Sequence, residues 1–218
     1  MQVPVSDVLN KYFPEAAAEP IERILKENQI LLIITRDRIT KLGDFKARTK
    51  TQPHRISVNG NLNPYAALLV FLHEFAHFTL YEMAGGRVHP PHGKAWRHRY
   101  GELIRQAISM GMFPDAMKEP LNAYSFNVRA SGLADNNLTK MLRKYDRSDV
   151  TREWMYLDEL HDQPVFQTKN GRVFEKGEKL RTRYRCTCLH SKRQYLVSGM
   201  SLVRPISKNL NMFANAKH

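Results

Sequence analysis

The run from Pro64 to Tyr81, PYAALLVFLHEFAHFTLY, constrains this chain more than any other segment. It is apolar and nearly long enough to cross a bilayer. Yet His73, Glu74 and His77 sit at its centre, and such groups are costly in hydrocarbon. A buried core helix resolves the conflict, because a protein interior can pair polar groups that lipid leaves alone. Asn63-Pro64 supplies its start, a capping side chain followed by proline at the first helical position. Gly85-Gly86 supplies its end. No transmembrane segment is expected.

The remaining patterns arrange themselves around that helix. Helical periodicity near Ser6–Tyr12 and Ala16–Glu27 is interrupted by Pro14. Gln29–Thr35 (QILLIIT) is too short and too β-branched for a helix and reads as a buried strand. Phe45–Thr49 and Arg55–Asn59 alternate as strands do. A second amphipathic helix begins near Gly93, with Trp96, Tyr100, Leu103, Ile104, Ala107 and Met110 as its apolar stripe. Further on, QTKNGR sets Asn-Gly between two alternating runs, a hairpin signal. Leu180–Cys188 and Gln194–Val203 read as further strands of a small antiparallel sheet over residues 163–205. The pattern is α+β, with a core over 1–125, a helical or irregular connector over 126–162 and a basic β-rich subdomain over 163–218.

Charge separates these regions. The 218 residues carry 34 Lys and Arg against 21 Asp and Glu, a formal charge of +13. Residues 1–138 hold a net +4 of this and residues 139–218 a net +9. Such an excess favours polyanionic partners, nucleic acid before anionic membrane. A hydrophobic content of 42% excludes wholesale disorder, and two cysteines exclude a disulfide-stapled scaffold. The first twenty residues lack a basic start followed by an apolar run, so no secretory signal is expected. The expected location is cytoplasmic, with nucleoid association, where thiols stay reduced.

His73-Glu74-Phe75-Ala76-His77 is an H-E-x-x-H motif. A spacing of four puts both imidazoles on one helical face, where both can ligate one ion. Glu74 can then lean over that ion without binding it. Neutral imidazole suits zinc, and a catalytic site keeps one position open. The alternative is a buried histidine pair held by hydrogen bonds. A third ligand could be Glu102 from the next helix, or His89 or His92 from the loop VHPPHGKAW. Spacing and chemistry leave these three open.

HEFAH, a step of fifteen positions from His77 to His92, and then His-Gly-Lys-Ala-Trp together resemble the SprT-like zinc metalloproteases. That family includes Spartan, which acts on DNA–protein crosslinks, and the bacterial SprT proteins. Leu42-Gly43 and HRISVNGNLNP upstream also fit, so the resemblance covers about residues 5–115. It implies a zincin-like metalloprotease core and one catalytic zinc on His73, His77 and His92, with Glu74 as general base. It also implies that the strand Arg55–Asn59 walls the substrate groove. Tyr100 and Arg97 lie near in sequence, but core packing and a solvated charge account for them equally well.

In bacterial SprT proteins a Cys-x-Cys like Cys186-Thr187-Cys188 opens a four-ligand zinc ribbon. No second pair follows here, and His190 alone would leave the set one short of the four that a closed site needs. The appendage therefore resembles a degenerate ribbon with an ordinary β core. Arg181, Arg183 and Arg185 alternate with Thr182, Tyr184 and Cys186, which on a strand aligns three guanidinium groups. With Lys176, Lys179, Lys192 and Arg193 they form a candidate phosphate-contacting face, Tyr184 or Tyr195 stacking on bases. The expected function is a zinc endopeptidase cleaving proteins bound or crosslinked to DNA, single-stranded or at junctions. Its rivals are a general zinc protease and a non-catalytic nucleic-acid-associated regulator with a vestigial site.

Overall fold

The computed structural model describes residues 5–36, 41–87, 90–129, 136–146, 153–161 and 165–206. The chain divides into two compact units, residues 1–146 and 147–218, and its fold is α+β. In the first unit α1 (Val5–Tyr12) and α2 (Glu15–Glu27) precede β1 (Ile30–Thr35), β2 (Gly43–Lys46) and β3 (His54–Asn59). Then come α3 (Pro64–Met83), α4 (Lys94–Ser109), α5 (Asp115–Ser125) and α6 (Asn136–Arg143).

α3 is the axis of this unit. Twelve of its twenty residues are buried, which is why its sequence is apolar nearly all round rather than striped. The Asn63 side chain accepts from the Ala66 amide at 2.9 Å, satisfying one of the donors a helix start leaves open. Its amide nitrogen donates to the Leu142 carbonyl at 2.9 Å and to Asp146 at 2.8 Å, tying the end of α6 to the start of α3. Leu138 and Leu142 on α6 join the same core as Phe71, Trp96, Tyr100 and Met117. Met110, expected in the α4 stripe, is 49% exposed, because the helix ends at Ser109 and Met110 caps it.

The three strands run in the order β1-β3-β2, with β3 parallel to β1 and antiparallel to β2. This corrects the expectation that Arg55–Asn59 walls the groove. β3 is the central strand and has both edges paired, so it offers none to a peptide. The edges belong to β1 and β2, and the one beside Glu74 is β2, which starts at Gly43 rather than Phe45 and stops at Lys46. Beyond it the chain turns back, with the Thr49 amide bonded to the Gln52 carbonyl at 2.9 Å.

The second unit is a six-stranded antiparallel sheet. It comprises β4 (Met155–Tyr156), β5 (Val165–Thr168), β6 (Val173–Lys179), β7 (Arg183–Cys188), β8 (Gln194–Ser198) and β9 (Leu202–Pro205). Their order is β4-β9-β5-β6-β7-β8. The Asn-Gly hairpin joins β5 to β6, with Gly171 at φ +81°, a backbone that favours glycine. Phe166, Phe174, Tyr184, Cys186, Cys188 and Val203 form a separate apolar core with Leu157 and Leu160. Among the described residues no helix is long and apolar enough to cross a membrane.

Candidate metal centre

His73 and His77 lie one turn apart on α3, their ring centroids 5.2 Å apart. His92 reaches them from the residue before Gly93, the N-cap of α4. Its φ of +58° is a left-handed backbone that a non-glycine residue adopts at a cost, a feature typical of functional positions. Two interactions secure it. Arg97 Nε donates to the His92 carbonyl at 3.1 Å, and the Trp96 ring packs 4.6 Å from the imidazole.

All three rings turn Nε2 to one point. His92 Nε2 is 3.0 Å from His73 Nε2 and 3.3 Å from His77 Nε2. A tetrahedral ion with bonds of about 2.0–2.1 Å to nitrogen separates its ligands by roughly 3.3–3.4 Å, so the cluster fits one. It is the only group of three or more potential ligands brought together among the described residues. Burial, then the neighbouring imidazoles, pushes His73 down to about 3 and His77 down to about 4. His92 is lowered by burial and by Arg97. At neutral pH the three therefore present uncharged nitrogens, the form that ligates a metal.

Trp96 floors the cluster, its ring also 4.5 Å from His73 and 5.3 Å from His77. Its Nε1 donates to the His73 carbonyl at 3.4 Å. Tyr100 is fully buried beneath it and donates its hydroxyl to the Leu69 carbonyl at 3.2 Å, so it is a packing residue. Glu102 is turned away, paired with Arg99 at 3.3 Å and near His98 at 3.5 Å. His89 lies outside the described residues.

Glu74 is buried, with Oε1 4.0 Å from His73 Nε2. Burial first, and then the Asp44 carboxylate, raises its pKa to about 8, opposed by the Phe45 backbone amide and by Lys41. Space for this carboxyl comes from Gly43, where a Cβ would stand 2.5 Å from Val70 Cγ1 and 2.8 Å from Glu74 Oε1. Sequence reasoning matches Leu42-Gly43 to the family without giving it a role. The burial of Glu74 against β2 has no signal in the motif itself.

In metal-free protein these shifts link stability to pH with opposite signs. From about pH 4 to 6.5 unfolded His73 and His77 bind protons that the folded ones refuse, so stability rises with pH. His54 and His92, also lowered, act in the same sense. From 4.5 to about 8 folded Glu74 keeps a proton that the unfolded carboxyl has lost, so stability falls as pH rises. Denaturation midpoints of chelated protein are expected to peak near pH 6.5 and to decline toward pH 8. A midpoint that climbs from pH 6.5 to 8 would contradict the burial of Glu74.

In the second unit the basic residues scatter. Arg183 and Arg185 point outward from β7 while Tyr184, Cys186 and Cys188 point inward, as the alternation predicted. Arg181 lies before the strand in a bend, so only two arginines are aligned. Arg185 is paired with Glu178. Lys176 turns inward and donates to the Leu157 and Leu160 carbonyls at 2.7 and 2.6 Å. Lys179 is held by Asp158 at 2.8 Å. Tyr184 is buried, with its hydroxyl 2.9 Å from Asp158, and Tyr195 packs edge-on against Phe174, so Tyr184 is closed to a base. Lys192 and Arg193 are exposed in the β7–β8 turn. Among the described residues Cys186 and Cys188 join no group of potential metal ligands.

No family model, no curated protein and no solved structure matches this chain.

Proposed function

We propose that this chain is a zinc-dependent endopeptidase of the SprT-like kind, with a zincin-like core and a second unit that is a metal-free relic of a zinc ribbon. The observation that carries the reading is the convergence of three uncharged imidazole nitrogens beside a buried carboxyl that ligates nothing. A structural metal site has no use for that carboxyl, whereas a hydrolytic one needs a base. This argues against the regulator with a vestigial site.

His73, His77 and His92 would hold the ion. Zinc bound there supplies Lewis acidity, polarising a peptide carbonyl and acidifying water. Glu74 then performs the proton transfers, accepting one from the attacking water and returning it to the leaving amine. Beside a bound cation Glu74 would favour its ionised, basic form at neutral pH, against the effect of burial. The edge of β2, whose Phe45 amide already reaches Glu74, gives an extended substrate backbone a partner for strand addition. The direct test is casein cleavage by zinc-loaded protein, expected to cease on chelation and to return with zinc.

We further propose that the substrates are proteins bound or crosslinked to DNA, in the cytoplasm or at the nucleoid. The supporting observation is that Arg181, Arg183, Lys192 and Arg193 are exposed, with no acidic partner against them among the described residues. Each phosphate held by a basic side chain contributes about 0.9 to the salt slope on duplex and about 0.7 on single strands. Replacing Arg183, Lys192 and Arg193 by glutamine is expected to flatten the slope by that amount for every phosphate no longer held, and to reduce DNA stimulation of cleavage. An unchanged slope in folded, zinc-loaded protein would favour a general protease.

A further inference from the structure

The histidine cluster opens on one side into a cavity of 340 Å³. Glu74 and His77 form its reactive end, and Phe45, Leu80, Tyr81, Pro90, Pro91 and Trp96 give it apolar walls. The walls are braced. The Phe45 ring packs edge-on to Phe78 and Tyr81 at 5.9 and 6.0 Å. Behind it His54, 3% exposed, stacks at 6.0 Å, with its Nδ1 accepting from the Arg48 amide at 3.1 Å. Trp96 is fixed by its bond to the His73 carbonyl.

The cavity's other carboxylate besides Glu74 is Asp44, and Lys41 already neutralises it at 3.1 Å. The cavity thus offers apolar surface without an uncommitted charge. Its volume lies at the low end of the range for small-ligand sites, about 300–1,000 Å³, and leaves ample room for one large side chain. It also adjoins the edge strand along which a peptide backbone would run, so a side chain next to the scissile bond is the group that can enter.

We propose that this cavity is the specificity subsite of the protease and takes a large apolar side chain, such as leucine, methionine or phenylalanine, flanking the bond that is cut. The inference rests on the protease reading and adds the substrate class to it. Asp44 sets the competing outcome, since it would hold a basic side chain if its pairing with Lys41 were given up.

Two measurements on the full chain test this. In the first, capped six-residue alanine peptides carrying leucine, lysine or alanine at the fourth position are titrated calorimetrically into zinc-loaded Glu74→Gln protein, which turns them over too slowly to deplete them. The leucine peptide is expected to bind at least about tenfold more tightly than the alanine peptide, since even one methylene in an apolar site commands roughly 10–200-fold. In the second, casein fragments from zinc-loaded wild type are sequenced, and apolar residues are expected to dominate one position beside the cut. Ala47→Phe fills the cavity from its rim and is expected to shift that preference to glycine and alanine, and Tyr81→Ala enlarges it and is expected to admit tryptophan. The zinc content of each variant reports whether the cluster survives.

Equal binding of the leucine and alanine peptides, a preference for lysine, or cuts indifferent to side chain in wild type would overturn the proposal. So would preferences that neither variant moves. Failure of wild type to cut any protein is a different result, which sinks the protease reading and this subsite with it.

Discussion

Glu74→Gln is expected to keep its metal and lose proteolysis, by about two to four orders of magnitude, the scale of a missing general base. The amide matches the carboxyl in shape and can still accept from the Phe45 amide, so the wall it shares with β2 should stand. It cannot take a proton from water. The same change removes a group whose ionised form burial opposes. Metal-free Glu74→Gln should therefore match wild type near pH 4.5 and gain on it steadily as pH rises toward 8. Near wild-type turnover, or loss of metal, would refute the role assigned to this residue.

The second large effect concerns the ion itself. One zinc per chain is expected, and His77→Ala or His92→Ala should each abolish it, because two imidazoles and water make a weak site for a cation that wants three or four protein ligands. His92→Ala is the sharper test. His92 alone comes from outside α3, and its left-handed backbone is held through its carbonyl by Arg97. Its loss removes a ligand without disturbing the helix. Elemental analysis that finds full zinc in His92→Ala and none in His89→Ala would reassign the third ligand.

Much of the candidate site is legible in the sequence because it depends on local periodicity. A four-residue spacing on a helix brings His73 and His77 together whatever surrounds them, and Asn63-Pro64 announces where that helix begins. His92 is one of three candidates until the His-Gly-aromatic resemblance selects it, since no rule of spacing links a loop residue to a helix that precedes it by fifteen positions. The β2 edge escapes a sequence reading for a related reason. Alternation identifies strands but says nothing of their order, so the resemblance that puts Arg55–Asn59 at the groove could not be checked against the strand order, in which Gly43–Lys46 is the edge beside Glu74. In the second unit the period-2 pattern assigns the faces of β7 correctly. It cannot foresee that Lys176 folds in to cap two carbonyls or that Arg185 finds Glu178, because both depend on partners across the sheet.

The raised pKa of Glu74 has a consequence for a population of molecules short of zinc. Without a cation alongside, burial favours the protonated carboxyl at neutral pH, so on the protease reading a molecule lacking the ion would lack its base as well. Partial supply would then divide the chains of such a protease into competent and silent copies, with none working at an intermediate rate. Output would follow occupancy in strict proportion, and an apparent slow background would point to a contaminant rather than to the empty form.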